Sequence, residues 1–282
     1  LAALTAVDGE PLDVWRNALF GFSADLDAAA VAALRATPGV SSVEADRPVH
    51  ATVDQMNPPW GLDRIDQHPL PLNNRYTTPA TGAGVKAYVL DSGIWFSHSE
   101  FTGRTLDGAF WNFGDNRGAW DCDGHGTHVA GTLGGTTYGV AKLVTLVPVR
   151  VLDCSGAGPL EAVVAGIDWV AADHLAGQPA VANLSLGLEM QPGTDAVDAA
   201  VEGLIADGVT VVIAAGNDGD DSCNYSPAHV TNAITVAASN QFDDDAAFSN
   251  FGACNDIFAP RVDILSAGIT SDITTLIQTG TS

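Results

Sequence analysis

The stretch DGHGTHVAG, residues 123–131, sets an imidazole, His125, between two glycines. Glycine on either side lets other backbone approach the ring closely. A histidine so placed is a candidate general base. That role needs a carboxylate to fix the ring's tautomer and a hydroxyl to deprotonate. Asp91 ends the apolar run VKAYVLD, and Ser282 ends the terminal QTGTS. Asn217 follows the apolar run VTVVI within AAGNDG. Its neutral amide N–H suits a developing oxyanion, because it stabilises the charge without a proton of its own to lose. Each residue also has a plainer reading. Asp91 caps a turn, Asn217 holds one, and Ser282 is a polar tail. His125 and His128 bind a metal, although no Glu or Cys stands beside them at zinc spacing.

Such residues act only if the chain brings them together. From Trp60 onward, short continuous apolar runs recur: VKAYVLD, VTLVPVRVL, AVANLSL, VTVVIAAG and AITVAAS. Runs of this kind suit strands buried on both faces. Between them Leu160, Val163, Val164 and Ile167 repeat at helical spacing. So do Val197, Ala200, Val201, Leu204 and Ile205, with Thr194 placed as N-cap and Gly208 placed to end the helix. The alternation predicts an α/β fold, a parallel sheet with helices on both faces. Working residues then gather at the carboxyl ends of the strands, where Asp91 and Asn217 fall. The first fifty residues differ. They predict a strand over Asn17–Ala24, a helix with Asp25 near its N-cap and Pro38-Gly39 at its end, and a second strand over VSSVEAD. A polar, proline-marked linker, RPVHATVDQMNPP, follows.

The totals narrow the function. Among 282 residues, 11 are basic and 34 acidic, a net charge of −23. That argues against nucleic acid and anionic membrane as partners. No apolar run approaches the ~20 residues of a membrane span. The opening LAALTAV has no basic flank and no initiator Met, so the N-terminus is expected to be trimmed. The four cysteines permit two disulfides in three connectivities, or four buried thiols. No pair has Cys-x-x-Cys spacing. Loops of about 30 residues between sequence neighbours would each be worth about 3–4 kcal/mol if bridged.

Taken together, YVLDSG, DGHGTHVAG, ANLSLG, AAGNDG, CNYSPA, FSNFGAC and the final GTS resemble the subtilisin-like serine proteases, in the proteinase K and aqualysin branch. PWGLDRIDQ resembles the start of the mature enzymes. LFGFSADL and VSSVEAD resemble the family's inhibitory prodomain, a small ferredoxin-like α+β unit that here lacks its first strand. The resemblance implies a prodomain over residues 1–52 and a catalytic domain over 53–282, with maturation between about His50 and Asp54. It implies a secreted, monomeric serine endopeptidase, made as a self-processed zymogen whose prodomain is its own intramolecular inhibitor. Ser282 is the nucleophile, His125 the base and Asp91 its partner, and Asn217 contributes to the oxyanion hole. Gly156, Ala157 and Gly158, with Ser185, Leu186 and Gly187, clamp the peptide as added strands. Ala214, Ala215 and Gly216 wall a primary pocket with room for large side chains, which implies broad specificity with a preference for apolar or aromatic residues before the cut. The cysteines pair as Cys122–Cys154 and Cys223–Cys254. A structural Ca²⁺ takes the Asp256 carboxylate and the carbonyls of Thr231 and Ala233, in keeping with calcium's preference for oxygen ligands.

There are departures. Ser92 stands where the family often has Thr, and Pro159 and Leu160 replace more polar residues beside one clamp strand. The family continues past the serine into a buried helix, so the chain is expected to be a fragment. A competing reading keeps the scaffold as a non-catalytic binding protein under a permanent cover. The intact set Asp91, His125, Asn217 and Ser282 favours the protease.

Overall fold

The computed structural model describes residues 2–7, 9–46, 53–78, 80–190 and 195–281. The chain forms two compact units, residues 1–50 and 51–282.

In the first unit, Asp13–Trp15 and Gly21–Ser23 form an antiparallel hairpin. The helix Ala28–Arg35 follows. Its N-cap is Asp27, whose carboxylate accepts the Ala30 N–H at 2.8 Å, and not Asp25 as the sequence suggests. The expected strand over Asn17–Ala24 shortens to its last half. Its partner, Asp13–Trp15, has no alternating apolar pattern. Residues 40–46 form no strand: they are mostly exposed and pair with none among the described residues. A short segment without a partner edge does not hold a strand.

The second unit is built on a seven-stranded sheet. Its strands in chain order are β1 (Lys86–Asp91), β2 (Ala109–Phe110), β3 (Thr145–Arg150), β4 (Ala180–Leu184), β5 (Thr210–Ala214), β6 (Ile234–Ser239) and β7 (Ile257–Pro260). Across the sheet the order is β7-β6-β5-β4-β1-β3-β2, and every neighbouring pair is parallel. The five apolar runs are β1, β3, β4, β5 and β6. β2 has only two residues. β7 is an edge strand with half its length exposed and a proline at its end, a composition that only an edge tolerates.

Helices cover both faces. α1 (His125–Gly134) packs on one, and α2 (Leu160–Asp173) and α3 (Asp195–Ala206) pack together on the other. The alternation of β1 divides the core. Tyr88 and Leu90 join the cluster under α2 and α3, while Ala87 and Val89 join Val129 and Ala130 of α1. Gly208, at φ 104°, turns the chain out of α3 as expected. The expected cap of α3, Thr194, lies outside the described residues. No helix among the described residues is long and apolar enough to cross a membrane. The strand order reverses beside β1, whose neighbours β3 and β4 are reached in opposite directions. Ligands of open parallel sheets bind at the carboxyl edge of such a point.

Candidate active site

Asp91 is the last residue of β1. It shares a face with Ala87 and Val89, the face covered by α1, because side chains alternate along a strand. His125 is the first residue of α1, so strand end and helix start converge. Two glycines make the approach possible. Gly124, the N-cap, sits at φ 108°, a conformation that side chains disfavour. A Cβ on Gly126 would lie 2.3 Å from the Gly93 carbonyl oxygen and 3.1 Å from Asp91 Oδ1.

The result is a hydrogen bond of 2.7 Å from His125 Nδ1 to Asp91 Oδ1. The same oxygen accepts the Ser92 N–H at 2.7 Å. Asp91 is fully buried, and the imidazole keeps about a quarter of its surface in solvent (26%). Burial opposes the charged ring, but the Asp91 carboxylate, by charge and hydrogen bond, outweighs it. His125 therefore titrates above the ordinary histidine range. With Nδ1–H committed to Asp91, the neutral ring carries its lone pair on Nε2. That tautomer is a base directed away from the carboxylate.

The loop delivering His125 is organised by Asp121, which sequence reasoning missed. Fully buried, it accepts five hydrogen bonds. Oδ1 takes Ser92 Oγ and the N–H groups of Asp123 and Gly124. Oδ2 takes the Thr127 N–H and Oγ1 at 2.9 and 2.6 Å. Ser92 Oγ in turn accepts the Gly126 N–H at 3.0 Å. A carboxylate tied to so many backbone donors fixes both walls of the Asp91–His125 contact. Its only sequence signal is an acid two residues before DGHG.

His128 does not join His125. Its Nε2 donates to the Ile264 carbonyl at 2.9 Å, and burial pushes its pKa down to about 4. It is a neutral packing residue, so the metal reading of His-x-x-His fails. Among the described residues, the one grouping at ligand distances is Asp115 with Cys122 and Cys154. Those two sulfurs are already bonded to each other.

Asn217 follows β5 at the same carboxyl edge, two strands from Asp91 and thus about 10 Å across the sheet. Its turn rests on Asn250, whose role the sequence did not reveal. Asn250 Oδ1 accepts the N–H of Asp218 and Asp220, and its Nδ2 donates to the Ala215 carbonyl at 3.0 Å. Gly216, at φ 106°, leaves room for that amide: a Cβ there would lie 2.3 Å from Asn250 Nδ2. The Thr281 N–H donates to Asn217 Oδ1 at 2.7 Å, and Thr281 Oγ1 accepts the Gly216 N–H at 3.1 Å. A backbone N–H can only donate. The Asn217 amide is therefore fixed with oxygen toward Thr281, and Nδ2 is its donor end. Ser282, the next residue, lies outside the described residues.

Ser185, Leu186 and Gly187, after β4, and Ala214, Ala215 and Gly216, at and just after the end of β5, all line one cavity of about 400 Å³. Asn217 and Thr281 border it. Gly156, Ala157 and Gly158 form an exposed turn, not a strand. Both Ala157 backbone groups are bound by Asp153, with the N–H on Oδ1 at 3.2 Å and the carbonyl on the Asp153 N–H at 2.7 Å. The Gly156 N–H is likewise bound, to the Asp153 carbonyl at 3.2 Å.

Both disulfides form, Cys122–Cys154 and Cys223–Cys254. The first ties the loop before α1 to the loop after β3. The buried Arg150 beside it pairs with Asp115 through two hydrogen bonds, which draw the Asp115 pKa down to about 2. Thr231, Ala233 and Asp256 lie at the opposite, amino edge, just before β6 and β7. Asp256 is exposed, and its Oδ2 accepts the Thr235 N–H at 2.8 Å. The donor set offered to a cation there is all oxygen, which suits Ca²⁺.

Residues 82–282 match the model of the subtilase family, and residues 6–52 match that of the peptidase inhibitor I9. The chain is 53% identical over 277 residues to an extracellular serine proteinase of Thermus sp. (strain Rt41A), covering 98% of this chain and 66% of that protein. It is 48% identical to alkaline serine exoprotease A of Vibrio alginolyticus, covering 90% of this chain and 48% of that one. It thus spans 66% of the length of the first of these relatives and 48% of the second. It also resembles the crystal structure of a cold-adapted subtilisin-like serine proteinase, with a TM-score of 0.75 and 47% identity over 80% of each chain.

Proposed function

The chain belongs to the subtilase family, and on that premise we propose that it is a secreted serine endopeptidase made as a self-processed zymogen. The observation that carries this reading is the 2.7 Å bond from His125 to the buried Asp91, which leaves Nε2 as a base. Ser282 Oγ attacks a peptide carbonyl while His125 Nε2 takes its proton. Asp91 holds the ring and stabilises its charged form. The Asn217 Nδ2 and the Ser282 N–H receive the oxyanion. His125 then returns the proton to the leaving amine, and water repeats the sequence on the acyl-enzyme.

The substrate lies along Ser185–Gly187 and Gly156–Gly158, with its primary side chain in the cavity behind Asn217. Walls of Ala214, Ala215 and Gly216 admit large side chains, apolar and aromatic ones among them, so specificity is broad. The I9-like unit inhibits in cis until the chain is cut between about His50 and Asp54. Secretion agrees with the two disulfides, which persist in oxidising compartments, and with the extracellular relative from Thermus. Asp256, with the carbonyls of Thr231 and Ala233, holds a structural Ca²⁺ far from the chemistry. The enzyme works as a monomer on protein and peptide substrates.

The test is expression of the protein from its complete gene. Self-cleavage near residue 52 and casein hydrolysis blocked by a serine-directed inhibitor are expected. An intact, silent chain contradicts the reading and points to a binding protein on this scaffold.

A further inference from the structure

We propose that Glu189 adapts the primary pocket to a lysine or arginine side chain, an inference that rests on the endopeptidase reading above. The cavity is not walled by small residues alone. Beyond Gly187 the chain enters the short strand Leu188–Glu189, which pairs antiparallel with Tyr225–Ser226. The register sets Tyr225 opposite Glu189, which fixes the Glu189 backbone in the far wall. On the other side Asp218 follows Asn217, its N–H held at 2.9 Å by Asn250 Oδ1. Glu189, Asp218 and Tyr225 all line the cavity.

Both carboxylates are exposed at the rim, and neither pairs with a lysine, arginine or histidine among the described residues. Both acids border the cavity, and Asp218 also hydrogen-bonds the Tyr225 side chain. The Tyr225 hydroxyl is pushed up by burial and then by Asp218, Asp220 and Glu189. An apolar side chain entering here strips water from carboxylates and offers nothing in return. A lysine or arginine lays its apolar stem along Ala214 and Leu186 and carries its charged head to the rim. Glu189 is the longer acid and sits on a paired strand, so it is the stronger determinant. Asp218 is secondary.

The experiment uses the mature enzyme from the complete gene and tripeptide p-nitroanilides that differ only at the residue before the cut: Lys, Arg, Phe or Leu. The readout is the Lys:Phe ratio of kcat/KM, at low and high salt. In Glu189→Gln the ratio falls about fivefold, the scale of one exposed charge pair, and Asp218→Asn lowers it less. Salt lowers the ratio in the parent enzyme and much less in the double variant, because it screens exposed charges. An enzyme that cleaves the Phe substrate with a ratio indifferent to both Glu189→Gln and salt overturns the assignment of Glu189. An enzyme that cleaves neither series overturns the endopeptidase reading instead.

Discussion

Replacing Asn217 by Ala and by Asp separates two roles that one substitution cannot. The side chain has an acceptor end, Oδ1, bound to the Thr281 N–H at 2.7 Å, and a donor end, Nδ2. Alanine removes both. Aspartate keeps an oxygen for Thr281 and puts a negative oxygen where the donor stood. If Asn217 only holds the turn, Asp is the milder change: Ala costs one hydrogen bond, about 1 kcal/mol, and Asp nearly none. If Nδ2 stabilises an oxyanion, the order inverts. Ala then loses about 10²–10³ in kcat, the scale known for removing one such donor from a serine protease of this fold. Asp loses more, because like charges meet in the transition state. In both variants KM changes by less than about threefold, since the donor acts on charge that develops only during reaction. The assay is steady-state hydrolysis of a peptide anilide, with circular dichroism to verify folding. An Asp variant more active than the Ala variant, or a loss confined to KM, refutes the argument.

Further tests address the supports of the site. Gly126→Ala places a Cβ 2.3 Å from the Gly93 carbonyl and must push His125 off Asp91. A displacement of about 1 Å is expected to lower kcat by about 10²-fold, measured on the same substrate. His174 bridges the ends of α2 and α3, with Nε2 on the Gln178 carbonyl at 2.9 Å and Nδ1 on Asp207 at 2.6 Å. Both partners accept, first Gln178 and then Asp207, so they hold the ring protonated and raise its pKa. Its contribution is full below about pH 6.5 and is lost as pH rises through the raised folded value. Thermal unfolding followed from pH 6 to 9 is expected to show a smaller fall in Tm for Asp207→Asn than for the parent chain. Replacing Cys122 and Cys154 by Ser removes a link 32 residues apart. The expected cost is about 2–5 kcal/mol, read by denaturant unfolding in an inactive Ser282→Ala background.

What the sequence made legible follows burial. β1, β3, β4, β5 and β6 are covered on both faces, and continuous apolar runs betray them. β2 and β7 lie at edges, where two residues suffice or where Pro260 and half-exposed side chains blur the pattern. In the first unit, Asp13–Trp15 escaped notice because a short hairpin strand buries too little to impose alternation. Residues 40–46 were expected to form a strand but find no pairing partner among the described residues. In the site, Asp91 alone reads as a turn cap, and it became legible with His125 only because YVLDSG and DGHGTHVAG occur together with the other family-like motifs. Asp121, Asn250 and Thr281 were not legible. They work by receiving or giving backbone hydrogen bonds, and in sequence such residues look like ordinary turn formers. The tight packing at Gly126 was legible as glycine, but its target, the Gly93 carbonyl, needed the fold.

The central claim is that Asp91 and His125 together activate Ser282. It is tested most directly by labelling the mature enzyme with a phosphonylating serine reagent across pH and locating the adduct by mass spectrometry. The account predicts a single adduct on Ser282. Its rate of formation should rise with pH through an apparent pKa above the ordinary histidine value of about 6.5, as the neighbouring carboxylate requires. That rate should fall by at least about 10³-fold in Asp91→Asn. An adduct on another residue, or a labelling rate indifferent to pH and to the Asp91 substitution, contradicts it.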